Sequence, residues 1–101
     1  MGKKADDFVR LFMVPGMQHC GGGPGPSDFG QGGAATGDAD HDINSALERW
    51  VETGTAPAQI IATRFKSPGN VERTRPLCPY PQTAKYKGTG STDDAANFVC
   101  K

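Results

Sequence analysis

A histidine and a cysteine, His19-Cys20, stand just past an apolar run and a Pro15-Gly16 turn, and Gly21-Gly22-Gly23 follow them directly. A loop beyond the carboxyl end of a buried strand is where an α/β enzyme displays a catalytic side chain. The chemistry open to His19 is general-base proton transfer, and a serine hydroxyl near neutral pH needs such a base within hydrogen-bond reach. On spacing alone, a histidine without a role fits as well. The glycines do not form a phosphate-cradling loop, because no Gly-Lys-Ser/Thr closes the run. They are better suited to letting the backbone come close to a neighbouring segment or a ligand. Asp38, Asp40 and Asp42 alternate as in a calcium loop, but Ile43 takes the place of the sharp-turn glycine and Arg49 that of the bidentate glutamate, which rejects an EF-hand. Ser27 has no nucleophile elbow around it. Asp28, Asp38, Asp40 and Asp42 read as loop and cap residues, and His41 as an exposed residue near a helix start. Arg73, Arg75 and Tyr80 read as surface groups, with a substrate-facing cluster as the alternative.

Few segments are available to position such a loop. Phe8 to Val14 is apolar on both faces except at Arg10, which fits a strand covered on both sides, as in a parallel sheet. Alone, one of its faces is expected to be exposed. Ile43 to Thr53 is the clearest helix, since Ile43, Ala46, Leu47, Trp50 and Val51 form one apolar stripe. Asp40 or Asp42 can cap its start, Gly54 supplies the left-handed C-terminal position, and Pro57 bars continuation. Trp50 is the natural anchor against the strand. Gln59 to Phe65 is a second strand, rich in β-branched residues. Ser67 to Asn70 is a turn, Val71 to Arg75 a short extended segment, Thr83 to Lys87 an edge strand, and Asp93 to Cys100 a helical turn. The stretch from Ser27 to Asp42 is a long loop of the kind that is usually functional or mobile.

The bulk of the chain sets limits. At 101 residues it is one domain at most, and Gly 14 with Pro 8 confines ordered structure to short pieces. Lys+Arg 11 balances Asp+Glu 11, so no basic face recommends nucleic acid as a partner. No apolar run approaches a membrane helix, and the N-terminus lacks the pattern of a signal peptide. Three cysteines are an odd count, and without a CxxC pair or Cys/His spacing a structural zinc site has no support.

Taken in order, Arg10-Leu11-Phe12-Met13-Val14-Pro15-Gly16-Met17-Gln18-His19-Cys20-Gly21-Gly22-Gly23-Pro24-Gly25, Ala46 to Gly54 with Ala56-Pro57, Arg73 to Pro81, and Ala95 to Cys100 resemble the tannase and feruloyl esterase family of α/β hydrolases. The resemblance implies an α/β fold, here the C-terminal portion of a larger esterase catalytic domain, residues 1–101, with a small mixed sheet, one main helix over about 43–53 and long Gly/Pro-rich loops. It implies a serine esterase acting on phenolic esters, feruloyl or galloyl, in which His19 is the catalytic histidine of a Ser-Asp-His triad. The serine and the aspartate fall upstream of this segment, so the isolated chain is expected to be inactive. Cys20 is implied to bond a cysteine beside the absent serine, which leaves it a free thiol here. Cys78 and Cys100 are implied to bond each other. No cofactor is implied in this segment; the family's structural calcium belongs to a lid domain outside it. Secretion or a periplasmic location is implied for the parent protein. Two other readings compete: a free-standing binding module derived from the family, and a small metal-binding protein using His19, Cys20 and the aspartates.

Overall fold

The helix forms where its periodicity predicts it. In the computed structural model, which describes residues 7–19, 21–31, 38–67 and 69–101, α1 spans Ile43–Thr53. Asp42 caps it from an extended conformation, accepting from the Asn44 and Ser45 N–H groups, and Gly54 ends it at φ 76° with its N–H on the Trp50 carbonyl. Both ends thus satisfy backbone groups that a helix leaves orphaned.

Four strands follow: β1, Ile60–Ser67; β2, Asn70–Leu77; β3, Ala84–Tyr86; and β4, Phe98–Cys100. The small sheet expected beside the helix comes as two antiparallel ladders, β1–β2 and β3–β4. Short connections between successive strands favour antiparallel pairing. Thr63 and Thr74 face each other across the first ladder. Their backbone groups point outwards: Thr63 exchanges hydrogen bonds with Asp28 at 2.8 and 3.0 Å, and the Thr74 N–H donates to the Asp93 carbonyl at 2.9 Å. Asp28, with the Asp40 carbonyl accepting from the Ile61 N–H at 2.7 Å, therefore lines the free edge of β1, and Asp93, before β4, lines the free edge of β2. The helical turn expected near the C-terminus is confined to Ala95–Asn97; the residues after it form β4, which sequence reasoning missed.

The core is small. Ala46 of α1 packs with Ile60, Ala62 and Leu77, and Phe12, Val14, Phe29, Ala39 and Ile43 close around them. The segment 8–14 departs from the expected strand. Only Phe12 forms a bridge, to Pro79, and the Tyr80 N–H donates to the Leu11 carbonyl at 2.7 Å. The alternation of a strand is nevertheless kept: Arg10, Phe12 and Val14 are half-buried, while Val9, Leu11 and Met13 are 48%, 54% and 58% exposed. A ladder needs a neighbour along its length, and the described residues offer this segment one pairing point. Trp50 is half-buried, and the Arg10 guanidinium lies 5.8 Å from its ring centroid. Arg10 Nη1 also donates to the Pro57 carbonyl at 2.9 Å, so the contact between segment and helix is partly a cation–π one.

A disulfide joins Cys78 to Cys100, with Cα atoms 5.5 Å apart, and ties β4 to the end of β2.

Candidate functional site

Residues 15–25 leave the core after Val14 and fold back on themselves. The Gly25 N–H donates to the Gly16 carbonyl at 3.1 Å, and nearer the tip the Gln18 N–H donates to the Gly22 carbonyl at 3.2 Å. The Gly21 N–H reaches the Gln18 carbonyl at 3.3 Å, which places His19 in the turn at the tip. The glycines have a steric reason. A Cβ on Gly23, which has φ +94°, would lie 2.2 Å from the Gly16 carbonyl oxygen. A Cβ on Gly16, at φ +76°, would lie 2.8 Å from the Gly25 nitrogen. Of the two uses expected for these glycines, close approach to a neighbouring segment is the one this packing supplies.

His19 is exposed, and no described residue hydrogen-bonds its side chain. Ser27 is not brought to it; the Ser27 carbonyl accepts from Gln31 Nε2. The aspartates near it in sequence have other work. Asp28 pairs with Thr63, and the Asp42 carboxylate, wholly buried, caps α1 and accepts from Ser45 Oγ at 3.2 Å. Asp38 accepts from the Asp40 N–H at 2.9 Å and meets His41 Nδ1 at 2.7 Å. The Asp40 N–H, and then His41, hold the Asp38 carboxyl below its ordinary value. Cys20, and with it the expected upstream disulfide, lies outside the described residues. Among the described residues no three His, Cys, Asp or Glu side chains gather as a metal site.

Arg73 and Arg75 are engaged inside the fold. Arg73 Nε pairs with Asp93 at 2.8 Å, Arg75 Nη2 donates to the Thr92 carbonyl at 3.0 Å, and the Arg75 guanidinium sits 4.2 Å from the Phe98 centroid. Tyr80 is exposed and belongs to neither contact. A cleft of about 440 Å³ opens between the glycine-rich loop and β2, walled by Met13, Pro24, Pro26, Arg75 and Leu77; His19 is not on its wall. One contact was not foreseen from the sequence: Arg64 Nη1 of β1 donates to the Gly23 carbonyl. The two residues are 41 positions apart, and no local pattern announces the pairing.

The described residues thus place an exposed imidazole at the tip of a closed loop, beside a core that meets only one face of the preceding segment. The chain belongs to the tannase and feruloyl esterase family, whose model matches residues 1–101. It is 50% identical over 103 residues to an uncharacterized esterase of Xanthomonas campestris pv. campestris, covering 96% of this chain and 18% of that protein. It is 48% identical over 99 residues to the mono(2-hydroxyethyl) terephthalate hydrolase of Piscinibacter sakaiensis, covering 95% and 14%. The crystal structure of an esterase from Aspergillus oryzae superposes with a TM-score of 0.88 at 33% identity, over 98% of this chain and 20% of that one. The chain thus spans a fifth or less of the length of these relatives. Among the described residues, no helix is long and apolar enough to cross a membrane.

Proposed function

We propose that this chain is the histidine-bearing segment of a serine carboxylic-ester hydrolase that acts on phenolic esters such as feruloyl or galloyl esters. The observation that carries the reading is His19 itself. Its imidazole stands in solvent at the tip of a loop closed by backbone hydrogen bonds, and no described residue has engaged it. A base presented in this way is open to a serine and an aspartate supplied by the rest of the hydrolase domain. His19 takes the serine proton as the hydroxyl attacks the ester carbonyl, then returns a proton to the leaving alcohol. The aspartate fixes the tautomer and stabilises the imidazolium. Cys20 bonds the cysteine beside that serine and holds nucleophile and base together. The open face at Val9, Leu11 and Met13 is where the remainder of the domain packs. The Cys78–Cys100 bond suits an oxidising compartment, so the esterase is secreted or periplasmic. The family's calcium stays with the lid, and no residue here is assigned to it.

Hydrolysis of methyl ferulate and methyl gallate tests this. The chain alone should be inert, and His19→Ala in the intact esterase should lower kcat by on the order of 10⁴- to 10⁶-fold. Activity of the isolated chain that disappears with His19→Ala would place a nucleophile within these residues. Full activity of the intact His19→Ala esterase would remove His19 from the chemistry.

A further inference from the structure

The β1–β2 ladder is irregular at two places, between Arg64 and Phe65 and between Phe65 and Ser67, and the first bears on the His19 loop. Arg64 faces Arg73 and Phe65 faces Val71, so Glu72 is an extra residue with no partner across the ladder. A bulge of this kind bends the strand and re-aims a side chain. Here the re-aimed side chain is Glu72, whose Oε2 accepts from Arg64 Nε at 2.7 Å. The other end of the same guanidinium donates through Nη1 to the Gly23 carbonyl. Gly23 lies between the two backbone hydrogen bonds that close the His19 loop, and its missing Cβ is what lets it lie against Gly16. Among the described residues, Arg64 is the only one whose side chain hydrogen-bonds residues 15–25.

We propose that Arg64 is a positioning residue for His19, and that Glu72 orients it. The proposal rests on the reading of His19 as the catalytic base. Arg64 acts through the loop and does not touch substrate. The planar guanidinium suits two fixed partners at once, which a lysine ammonium does not. Arg64 and Glu72 side chains are 37% and 46% exposed, so their ion pair adds little to global stability. What it supplies is the place of the loop relative to the ladder. Misplacing a catalytic group by about 1 Å can cost on the order of 100-fold in rate.

The test uses the intact esterase that carries this chain, with Arg64→Met, Arg64→Lys and Glu72→Gln. On methyl ferulate, Arg64→Met should lower kcat by about 10- to 100-fold and leave KM within about twofold. Its Tm should fall by less than about 4 °C. Arg64→Lys should recover part of the loss, and Glu72→Gln, which keeps an acceptor, should lose less than Arg64→Met. Amide exchange at Gln18 and Gly25 should quicken in Arg64→Met while β1 and β2 keep their protection. Unchanged kcat in Arg64→Met overturns the proposal, as does a loss that vanishes once rates are referred to the folded fraction. His19→Ala separates the two readings. If it leaves activity intact while Arg64→Met still loosens Gln18 and Gly25, the catalytic role of His19 has failed and the clamp on the loop has not.

Discussion

Removing the Cys78–Cys100 bond should cost this chain a large share of its stability, and the cost can be worked from the loop it closes. The two cysteines are 22 positions apart. In the chain-entropy account, a loop of that size restricts the unfolded chain by about 3.4 kcal/mol at 25 °C. Cys78 is buried and Cys100 half-buried, so replacing both with alanine removes little apolar contact beside that tether. The assay is urea unfolding of Cys78→Ala/Cys100→Ala against the oxidised parent, followed by far-UV circular dichroism. With a slope of about 1.5 kcal/mol per molar, the midpoint should fall by about 2 M. Hydrogen exchange adds the decisive detail. If the bond acts on the whole unfolded chain, amides of β1 and β2 lose protection together with those of β3 and β4. A midpoint shift below about 0.3 M refutes the tether reasoning. So does a loss of protection confined to Lys85, Tyr86 and Lys101, which would make the bond a local clasp on the C-terminal strand.

Two smaller perturbations follow from the caps and loops. Asp42→Ala leaves the Asn44 and Ser45 N–H groups without the acceptor seen at 2.9 and 3.4 Å, and should cost about 2 kcal/mol in urea unfolding, with Asp42→Asn milder because one oxygen remains. The Asp38 carboxyl should titrate below 3.8, so its contribution to stability is present above that value and is lost as pH falls through the lowered one. His41→Ala should move this titration only part of the way back, as read by carboxyl carbon NMR, because the leading cause is the Asp40 N–H.

The helix was legible because three signals agreed on it: the stripe through Ile43, Ala46 and Trp50, an acid at the start, and Gly54 at the end. β1 was legible from its β-branched run, though it continues to Ser67. β4 was not, because Phe98–Cys100 is three residues long and is held by pairing with β3 and by the disulfide, both distant in sequence. Phe8 to Val14 misled in a different way. Its composition records a segment suited to cover on both faces, while its structure records the single bridge available to it. Trp50 was expected to anchor against the strand segment, and it meets that segment through the Arg10 guanidinium, a cation–π contact that composition does not encode. His19 was singled out as a candidate from its setting, whereas the contacts of Arg64 with Glu72 and Gly23 were invisible, since a bulge exists only once two strands have been aligned.

The glycines around His19 join these points. An open glycine loop would leave its N–H groups free for an anion, but here those of Gln18, Gly21 and Gly25 are spent on carbonyls of the same loop. Such a loop cannot cradle a phosphate with those groups, and it holds its own shape. A catalytic base needs two things that usually conflict: a fixed backbone and an uncommitted side chain. Fixing a histidine through its ring would occupy the nitrogens that must move protons. Here the constraint falls instead on Gly16, Gly23 and Gly25, where backbone meets backbone at distances no Cβ allows, and on the Gly23 carbonyl, which accepts from Arg64. The imidazole at the tip of the loop is left without a partner among the described residues. With His19 proposed as the base, the same division lets a serine and an aspartate come from outside this loop. Its glycines make a mount, and the groups proposed to complete the chemistry can arrive from another part of the fold.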